Sequence, residues 1–132
     1  MDKQEKVMYQ TTPEDFEAFK ESFFYWQKEL GLTQYEAYFK VMDLGGDFGG
    51  LNVDQMGKVA SLSFPIEVAE DRKQDLKPVD TGKHECFHLL LSRLRWLGEA
   101  RWIENNDLVE EDEAIVRRLE KVLKREDKNE NC

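Results

Sequence analysis

Histidine, cysteine and proline are scarce in this chain: its 132 residues include two histidines, two cysteines and three prolines. Cys86 lies inside a helical pattern and Cys132 ends a charged segment, so a disulfide bond between them is not expected. We therefore predict reduced thiols, which agrees with the cytoplasmic location that we expect from the polar N-terminus and the lack of a membrane-length apolar run.

Basic residues are also few. The chain has 19 lysines and arginines against 28 acidic residues, which gives a formal net charge of −9. No stretch is rich in lysine or arginine, so neither nucleic acid nor an anionic membrane is expected as a partner. No apolar run is long enough to span a bilayer, and residues 1–6 are polar, unlike the core of a signal peptide.

Apolar residues make up 40% of the chain, which is enough for one core. We predict a single domain over residues 1–132, with an ordered core at about 12–125 between polar tails. Thr12 and Pro13 are typical of a helix start, and Gly31 of a helix end. Between them, apolar residues recur at helical spacing, at Phe16, Phe19, Phe23, Trp26 and Leu30.

The next segment indicates a small sheet. Residues 35–41 are compatible with either a strand or a short helix, and the four glycines of residues 43–50 indicate a hairpin loop. Residues 58–64 alternate in character and are followed by Pro65, which predicts a short strand. Residues 66–81 are charged and turn-prone, so we expect them to connect this strand to a helix.

The most specific pattern is His84-Glu85-Cys86-Phe87-His88, which contains both histidines of the chain. On a helix, this spacing places the two imidazoles on one face, one turn apart, where both can bind one zinc ion. Glu85 stands beside them, where it can deprotonate a zinc-bound water. The pattern therefore predicts a zinc site with Glu85 as the catalytic base.

The helix that carries this pattern is predicted to run from about Gly82 to Arg101. Its apolar arc has the histidines at one edge, next to a polar strip that continues along the helix. The arc comprises Phe87, Leu90, Leu91, Leu94 and Leu97, and the polar strip comprises Ser92, Arg95 and Glu99. The histidines are thus expected to border both the core and a water-filled cleft.

The identity of the third ligand separates the subclasses of such sites. Leu91 and Leu94 occupy the positions where one subclass has glycine and a third histidine, so that subclass is excluded. Glu99 lies about 16 Å along the helix from His88, too far to share the ion. A carboxylate from the next helix is the remaining option.

The next helix is predicted to start at residues 105–107, with an acidic cluster at residues 110–113. Glu113 lies beside Val109 and Val116 and has the longer reach, so it is the preferred third ligand. Asp112 is the alternative, although it falls in the middle of the apolar stripe, where an unpaired carboxylate is costly to bury. After Lys124 the chain is charged and predicted to be disordered.

These residues carry a family resemblance. The run from His84 to Leu91, with the acidic stretch leading into residues 113–120, resembles the small phage-associated zincin-like proteins, minimal relatives of the gluzincin metallopeptidases. Residues 23–32 resemble their N-terminal helix, and residues 59–64 resemble the strand along their active-site cleft. The resemblance implies an α+β fold with an N-terminal helix, a small antiparallel sheet, the motif helix and a C-terminal ligand helix. It also implies that His84, His88 and a glutamate hold zinc and that Glu85 is the base.

The expected function is that of a zinc-dependent hydrolase, a minimal metallopeptidase that acts on a peptide or protein. A substrate strand is expected to pair with a sheet edge formed by residues 59–64. One alternative is a non-catalytic, zinc-stabilised interaction protein, in which the ion holds the two C-terminal helices together. A metal-free acidic interaction module is the other alternative.

Overall fold

The computed structural model describes residues 7–100 and 104–130, with side chains as far as Val122. The predicted combination of helices with a small sheet is confirmed. The predicted polar end at residues 1–6, the predicted helix end at Arg101 and the predicted free thiol at Cys132 lie outside the described residues. In chain order, the elements are β1 (Met8–Gln10), α1 (Pro13–Glu29), β2 (Glu36–Met42), β3 (Gly50–Asp54), β4 (Val59–Pro65), β5 (Glu67–Ala69), a 3-10 helix (Glu70–Asp75), α2 (Pro78–Glu99) and α3 (Asn105–Glu130).

Helix α1 starts where the sequence predicts. The Thr12 hydroxyl oxygen accepts a hydrogen bond from the Asp15 backbone N–H at 3.1 Å, and the Asp15 carboxylate accepts one from the Thr12 N–H at 3.0 Å. This reciprocal capping box satisfies two N–H groups that lack partners inside the helix. At the other end, Gly31 has a φ of 68°, a conformation that glycine adopts without strain, and it turns the chain out of the helix.

The sheet differs from the wholly antiparallel one that was expected. Its strand order is β2-β4-β3, with β2 parallel to β4 and β3 antiparallel to β4. Strands β1 and β5 form a separate antiparallel pair. Residues 43–50 do not form a hairpin loop, because the two strands that they join are separated by β4. For the same reason residues 59–64 are the centre of the sheet, and β3 forms an edge.

Helices α1 and α2 pack against each other and cover the sheet. Phe19, Phe23 and Phe64 have no exposed surface, and the rings of Phe19 and Phe64 lie 5.0 Å apart. Burial of each such side chain contributes roughly 1.5–3 kcal/mol to folding. The other members of the core are Leu30, Leu32, Tyr35, Ala60, Leu62, Cys86, Leu89, Leu90 and Ile115.

Helix α2 starts at Pro78, one turn earlier than predicted, because proline is well suited to the first helical position. The predicted apolar arc is partly wrong. Phe87 and Leu91 are exposed, at 38% and 46%, whereas Leu90 and Leu97 are buried as predicted. The buried face is rotated relative to the predicted arc, and comprises Gly82, Glu85, Cys86, Leu89, Leu90 and Leu97.

The rotation of α2 follows from close contact with α1 at Gly82. A Cβ atom at Gly82 would lie 2.5 Å from the carbonyl oxygen of Phe19 and 3.0 Å from the backbone nitrogen of Phe23. One turn earlier, the Ser22 hydroxyl donates a hydrogen bond to the carbonyl oxygen of Val79 at 2.6 Å. These contacts hold one side of α2 against the backbone of α1.

Cys86 is a free, buried cysteine, and burial raises the pKa of its thiol to about 12. The thiol is therefore protonated at neutral pH and acts as a small apolar group of the core. None of the described helices is both long and apolar enough to cross a membrane.

The contact at Gly82 can be tested with two matched variants. Gly82→Ala should lower the free energy of unfolding by about 1–3 kcal/mol, because the new methyl group meets backbone atoms that cannot move independently. Gly98→Ala, on the same helix with no atom within 4 Å of the new Cβ, should be neutral or stabilising by up to about 1 kcal/mol. Urea denaturation measures both. Equal stability of the two variants would contradict a tight contact at Gly82.

Candidate metal centre

His84 and His88 lie one turn apart on α2, and both are exposed. Their Nε2 atoms are 3.1 Å apart, and their rings meet edge to face. Two imidazole nitrogens bound to one zinc at tetrahedral angles would be about 3.3 Å apart, since each Zn–N distance is about 2.0–2.1 Å. The two histidines therefore fit a shared zinc ion with little rearrangement.

Glu85 lies beside them but is only 6% exposed. One carboxylate oxygen of Glu85 and one ring nitrogen of each histidine all lie within 4.8 Å of one another. Burial raises the pKa of Glu85; the two imidazoles oppose this effect, and the negative charge of Asp47 adds to it. Within the described part of the chain, the carboxylate has no hydrogen bond or ion pair, so it is a buried acid available for proton transfer.

Two clefts meet at Glu85. A cleft of about 720 Å³ separates β3 from α2, and a smaller one of about 390 Å³ lies between residues 48–49 and the start of α2. His88 lines the larger cleft, His84 lines the smaller one, and Glu85 lines both. The larger cleft is also lined by Leu51, Asn52, Val53, Gln55, Leu91, Ser92, Leu94, Arg95, Trp96 and Glu99.

The polar strip that was predicted beside the histidines is therefore confirmed. Ser92, Arg95 and Glu99 line the same cleft as His88. Arg95 and Glu99 form an exposed ion pair at 3.2 Å. Sequence patterns did not indicate the opposite wall, because it comes from strand β3, which the sequence analysis did not recognise.

A chain of hydrogen bonds connects the two walls of the larger cleft. The Tyr35 hydroxyl donates to the Gln55 side-chain oxygen, and the Gln55 amide donates to the Ser92 hydroxyl, each at 2.8 Å. The Ser92 hydroxyl in turn donates to the carbonyl oxygen of Leu89 at 2.7 Å. Gln55 directly follows β3 and is only 6% exposed. The end of β3 is thereby attached to the middle of α2.

The glycine-rich segment of residues 45–50 packs against the start of α2. A Cβ atom at Gly49 would lie 2.6 Å from Cγ2 of Thr81 and 3.5 Å from Cγ of Glu85. Only glycine fits here without displacing Thr81. The segment also brings Asp47 near enough for its charge to act on Glu85. Sequence analysis missed Asp47, because the glycines around it indicated a turn but not the surface on which the turn packs.

The structure does not bring the two predicted third ligands to the histidines. Glu113 and Asp112 are exposed on α3 and lie outside the cluster of ligand atoms. Their neighbour Glu111 forms an ion pair with Arg93 at 3.3 Å. Arg93 projects from α2 about 140° around the helix axis from His88. The start of α3 thus packs on another side of α2.

The raised pKa of Glu85 predicts a pH-dependent effect on the metal-free protein. At neutral pH, Glu85→Gln should raise the free energy of unfolding, because the folded state holds a charged Glu85 less favourably than the unfolded state does. As pH falls through the folded-state pKa, the wild type regains stability by binding a proton. The difference in free energy of unfolding between Glu85→Gln and the wild type should disappear near pH 4.3, about the ordinary pKa of glutamate.

Urea denaturation in the presence of a chelator, repeated across this pH range, measures the effect. Glu21→Gln is the control, since Glu21 is exposed on α1, and it should show no such trend. A gap between wild type and Glu85→Gln that widens towards low pH would contradict the direction of the shift.

Comparison of the chain with models of known protein families, with proteins of curated function and with solved structures finds no match. The resemblance to the phage-associated zincin-like proteins therefore rests on the sequence motif, and the function has to be argued from the geometry of the site.

Proposed function

We propose that this protein is a zinc-dependent hydrolase of the metallopeptidase type, in which His84 and His88 hold the ion and Glu85 is the general base. One observation carries the proposal: the two Nε2 atoms lie 3.1 Å apart, beside a largely buried carboxylate that borders both clefts and has no hydrogen bond or ion pair among the described residues. Ionisable groups that are partly withdrawn from water in a cleft are concentrated at functional sites.

The openness of the site supports catalysis over a purely structural role for the metal. Structural zinc sites are usually closed by four protein ligands, whereas catalytic sites keep one position free. Both histidines here are exposed, and each borders a cleft. This arrangement favours the hydrolase over the non-catalytic, zinc-stabilised interaction protein.

For the third ligand, the geometry favours Asp47 over Glu113 and Asp112. The segment that carries Asp47 packs on the same part of α2 as the histidines, and its charge already acts on Glu85. Asp47 is not part of the 4.8 Å cluster, so its segment has to approach the histidines when the ion binds. Glu113 would instead have to reach around α2.

The chemistry follows from this set of residues. Zinc, when bound, lowers the pKa of a water molecule and polarises a substrate carbonyl. Glu85 accepts the proton of the attacking water and passes it to the departing amine nitrogen.

An extended peptide is the substrate that the clefts support best. Among the described strands, β3 pairs only with β4, so its other edge is free, and Leu51 to Val53 line the larger cleft. A peptide can add to such an edge through backbone hydrogen bonds. We therefore assign the substrate edge to β3, in place of residues 59–64. The two clefts that meet at Glu85 offer room on both sides of the bond to be cut.

The metal site predicts which substitutions weaken zinc binding. His84→Ala and His88→Ala should each lower the affinity by more than about 100-fold, since loss of an outer-shell partner alone costs 10–100-fold. Asp47→Asn should also weaken binding, whereas Glu113→Gln should not. Competition with a chromophoric chelator measures all four affinities. Unchanged affinity in His88→Ala would refute the site, and a loss in Glu113→Gln would reinstate Glu113 as the ligand.

The role of Glu85 predicts a separation of binding from turnover. Glu85→Gln should keep stoichiometric zinc and lower kcat/KM on a peptide substrate by about 10²–10⁴-fold, the usual contribution of a general base. Screening the zinc-loaded protein against a peptide library supplies the substrate, and Glu21→Gln is the control.

Turnover that is unchanged in Glu85→Gln would refute the mechanism. The non-catalytic alternative predicts another set of results for the wild type. It would bind stoichiometric zinc and lose much of its stability on chelation, but it would cleave no peptide of the library.

A further inference from the structure

Three basic side chains meet at a cavity away from the histidines. Lys58, Arg93 and Arg118 line a cavity of about 240 Å³, which is called the basic pocket below. Lys58 comes from the turn between β3 and β4, Arg93 from α2 and Arg118 from α3. All three are partly buried. Because they are far apart in the sequence, no local pattern indicated that they meet.

The basic pocket is positively charged, although the chain as a whole is acidic. Among the described residues that line it, Glu111 is the one acid beside three cations, so the lining has a net charge of +2. The whole chain has a formal net charge of −9. A recess lined mainly by one sign of charge raises the local concentration of ions of the opposite sign. The basic pocket therefore favours an anion.

Most of the donors in the basic pocket have no acceptor within the described part of the chain. Glu111 pairs with Nε of Arg93 at 3.3 Å, and the two terminal nitrogens of Arg93 form no hydrogen bond there. Arg118 forms neither a hydrogen bond nor an ion pair with a described residue. The ammonium group of Lys58 lies 5.3 Å from the centre of the Tyr35 ring and pairs with no described carboxylate. These donors are available to an anion that enters the pocket.

The backbone at Lys58 is a second, independent indication of a site. Its φ is 56°, and no other described residue except glycine has a positive φ. Glycine and asparagine adopt this conformation more readily than lysine does, and such strained positions are concentrated at functional sites. Lysine at this position supplies an ammonium group to the pocket, which glycine or asparagine would not.

We propose that the basic pocket binds a phosphate group, either as the free ion or as the ester of a small molecule. A phosphate monoester carries a charge of about −1.5 to −2 at pH 7 and has three terminal oxygens that accept hydrogen bonds. It therefore matches both the net charge of the lining and the three cations. A carboxylate has a single charge and two oxygens, and Arg93 already binds one, that of Glu111.

The size and the inner surface of the pocket restrict the rest of the ligand. Its volume of about 240 Å³ is smaller than the roughly 300–1,000 Å³ of pockets that hold drug-sized ligands. Leu32, Leu89 and Leu90, which are almost fully buried, form its apolar inner side. A phosphate that carries a small apolar group fits this lining.

The basic pocket is separate from the proposed zinc site. Arg93 projects from α2 about 140° around the helix axis from His88, and neither histidine lines the pocket. Variants of the pocket should therefore leave zinc affinity unchanged, which also shows that they fold. Phosphate binding and hydrolase activity can consequently fail independently.

Titration calorimetry of the metal-free protein with inorganic phosphate tests the site. The titration is done at constant ionic strength and at about pH 8, where the histidines are neutral. Arg118→Gln should weaken phosphate binding by about 10- to 100-fold, because a hydrogen bond between charged groups is lost. Lys58→Gln, in a different element, should act in the same direction. Arg95→Gln is the matched control, since Arg95 is an exposed arginine of α2 outside the pocket, and it should bind phosphate like the wild type.

Two results would overturn the proposal. One is a wild type that does not bind phosphate at about 10 mM. The other is binding that neither Arg118→Gln nor Lys58→Gln weakens, because the phosphate would then be held elsewhere.

Two further titrants identify the ligand. Acetate should bind at least about tenfold more weakly than phosphate, because it carries a single charge. Equal affinities for acetate and phosphate would contradict the assignment to a phosphate group. Phenyl phosphate distinguishes the two sources: binding tighter than that of inorganic phosphate would assign the site to a phosphate ester, and weaker binding would assign it to the free ion.

Discussion

The arrangement of the site depends on one close contact, between Gly82 of α2 and the backbone of α1 at Phe19. This contact fixes the rotation of α2 about its own axis. Given that rotation, Cys86 and Leu89 enter the core, and Glu85 follows them to the interior side of the helix. His84 and His88 then point outward into the clefts. The close packing of α2 on α1 at Gly82 and Val79 thus accounts for a buried acid and two exposed imidazoles in the same motif.

The features that the sequence predicted well depend on neighbours along the chain. The helix start at Thr12 was predicted, and the capping box found there involves residues three positions apart; the histidine pair involves residues four positions apart. Helix geometry alone relates the members of each set. The order of the strands could not be predicted in this way. Strands β2 and β4 are parallel neighbours, whereas β3, which lies between them in the sequence, forms an edge of the sheet. This order depends on residues that are far apart in the chain, so no local pattern encodes it.

The predicted third ligand shows a related difficulty. A helical wheel shows which face of α3 is apolar, but it does not show which side of α2 packs against α3. That choice is made by contacts such as the Arg93–Glu111 ion pair and the burial of Ile115. Asp47, which we propose as the third ligand, could not be predicted for a different reason. The glycines around it indicate a turn, but they do not indicate which surface the turn packs against.

The hydrogen-bonded series of Tyr35, Gln55 and Ser92 holds the larger cleft in position before a ligand binds. Because it ties the end of β3 to α2 with buried polar groups, the gap between the two walls has a set width before anything enters. A peptide that adds to β3, as proposed above, therefore meets walls that are already held in position, and less conformational entropy is lost on binding than if the cleft had to be ordered first.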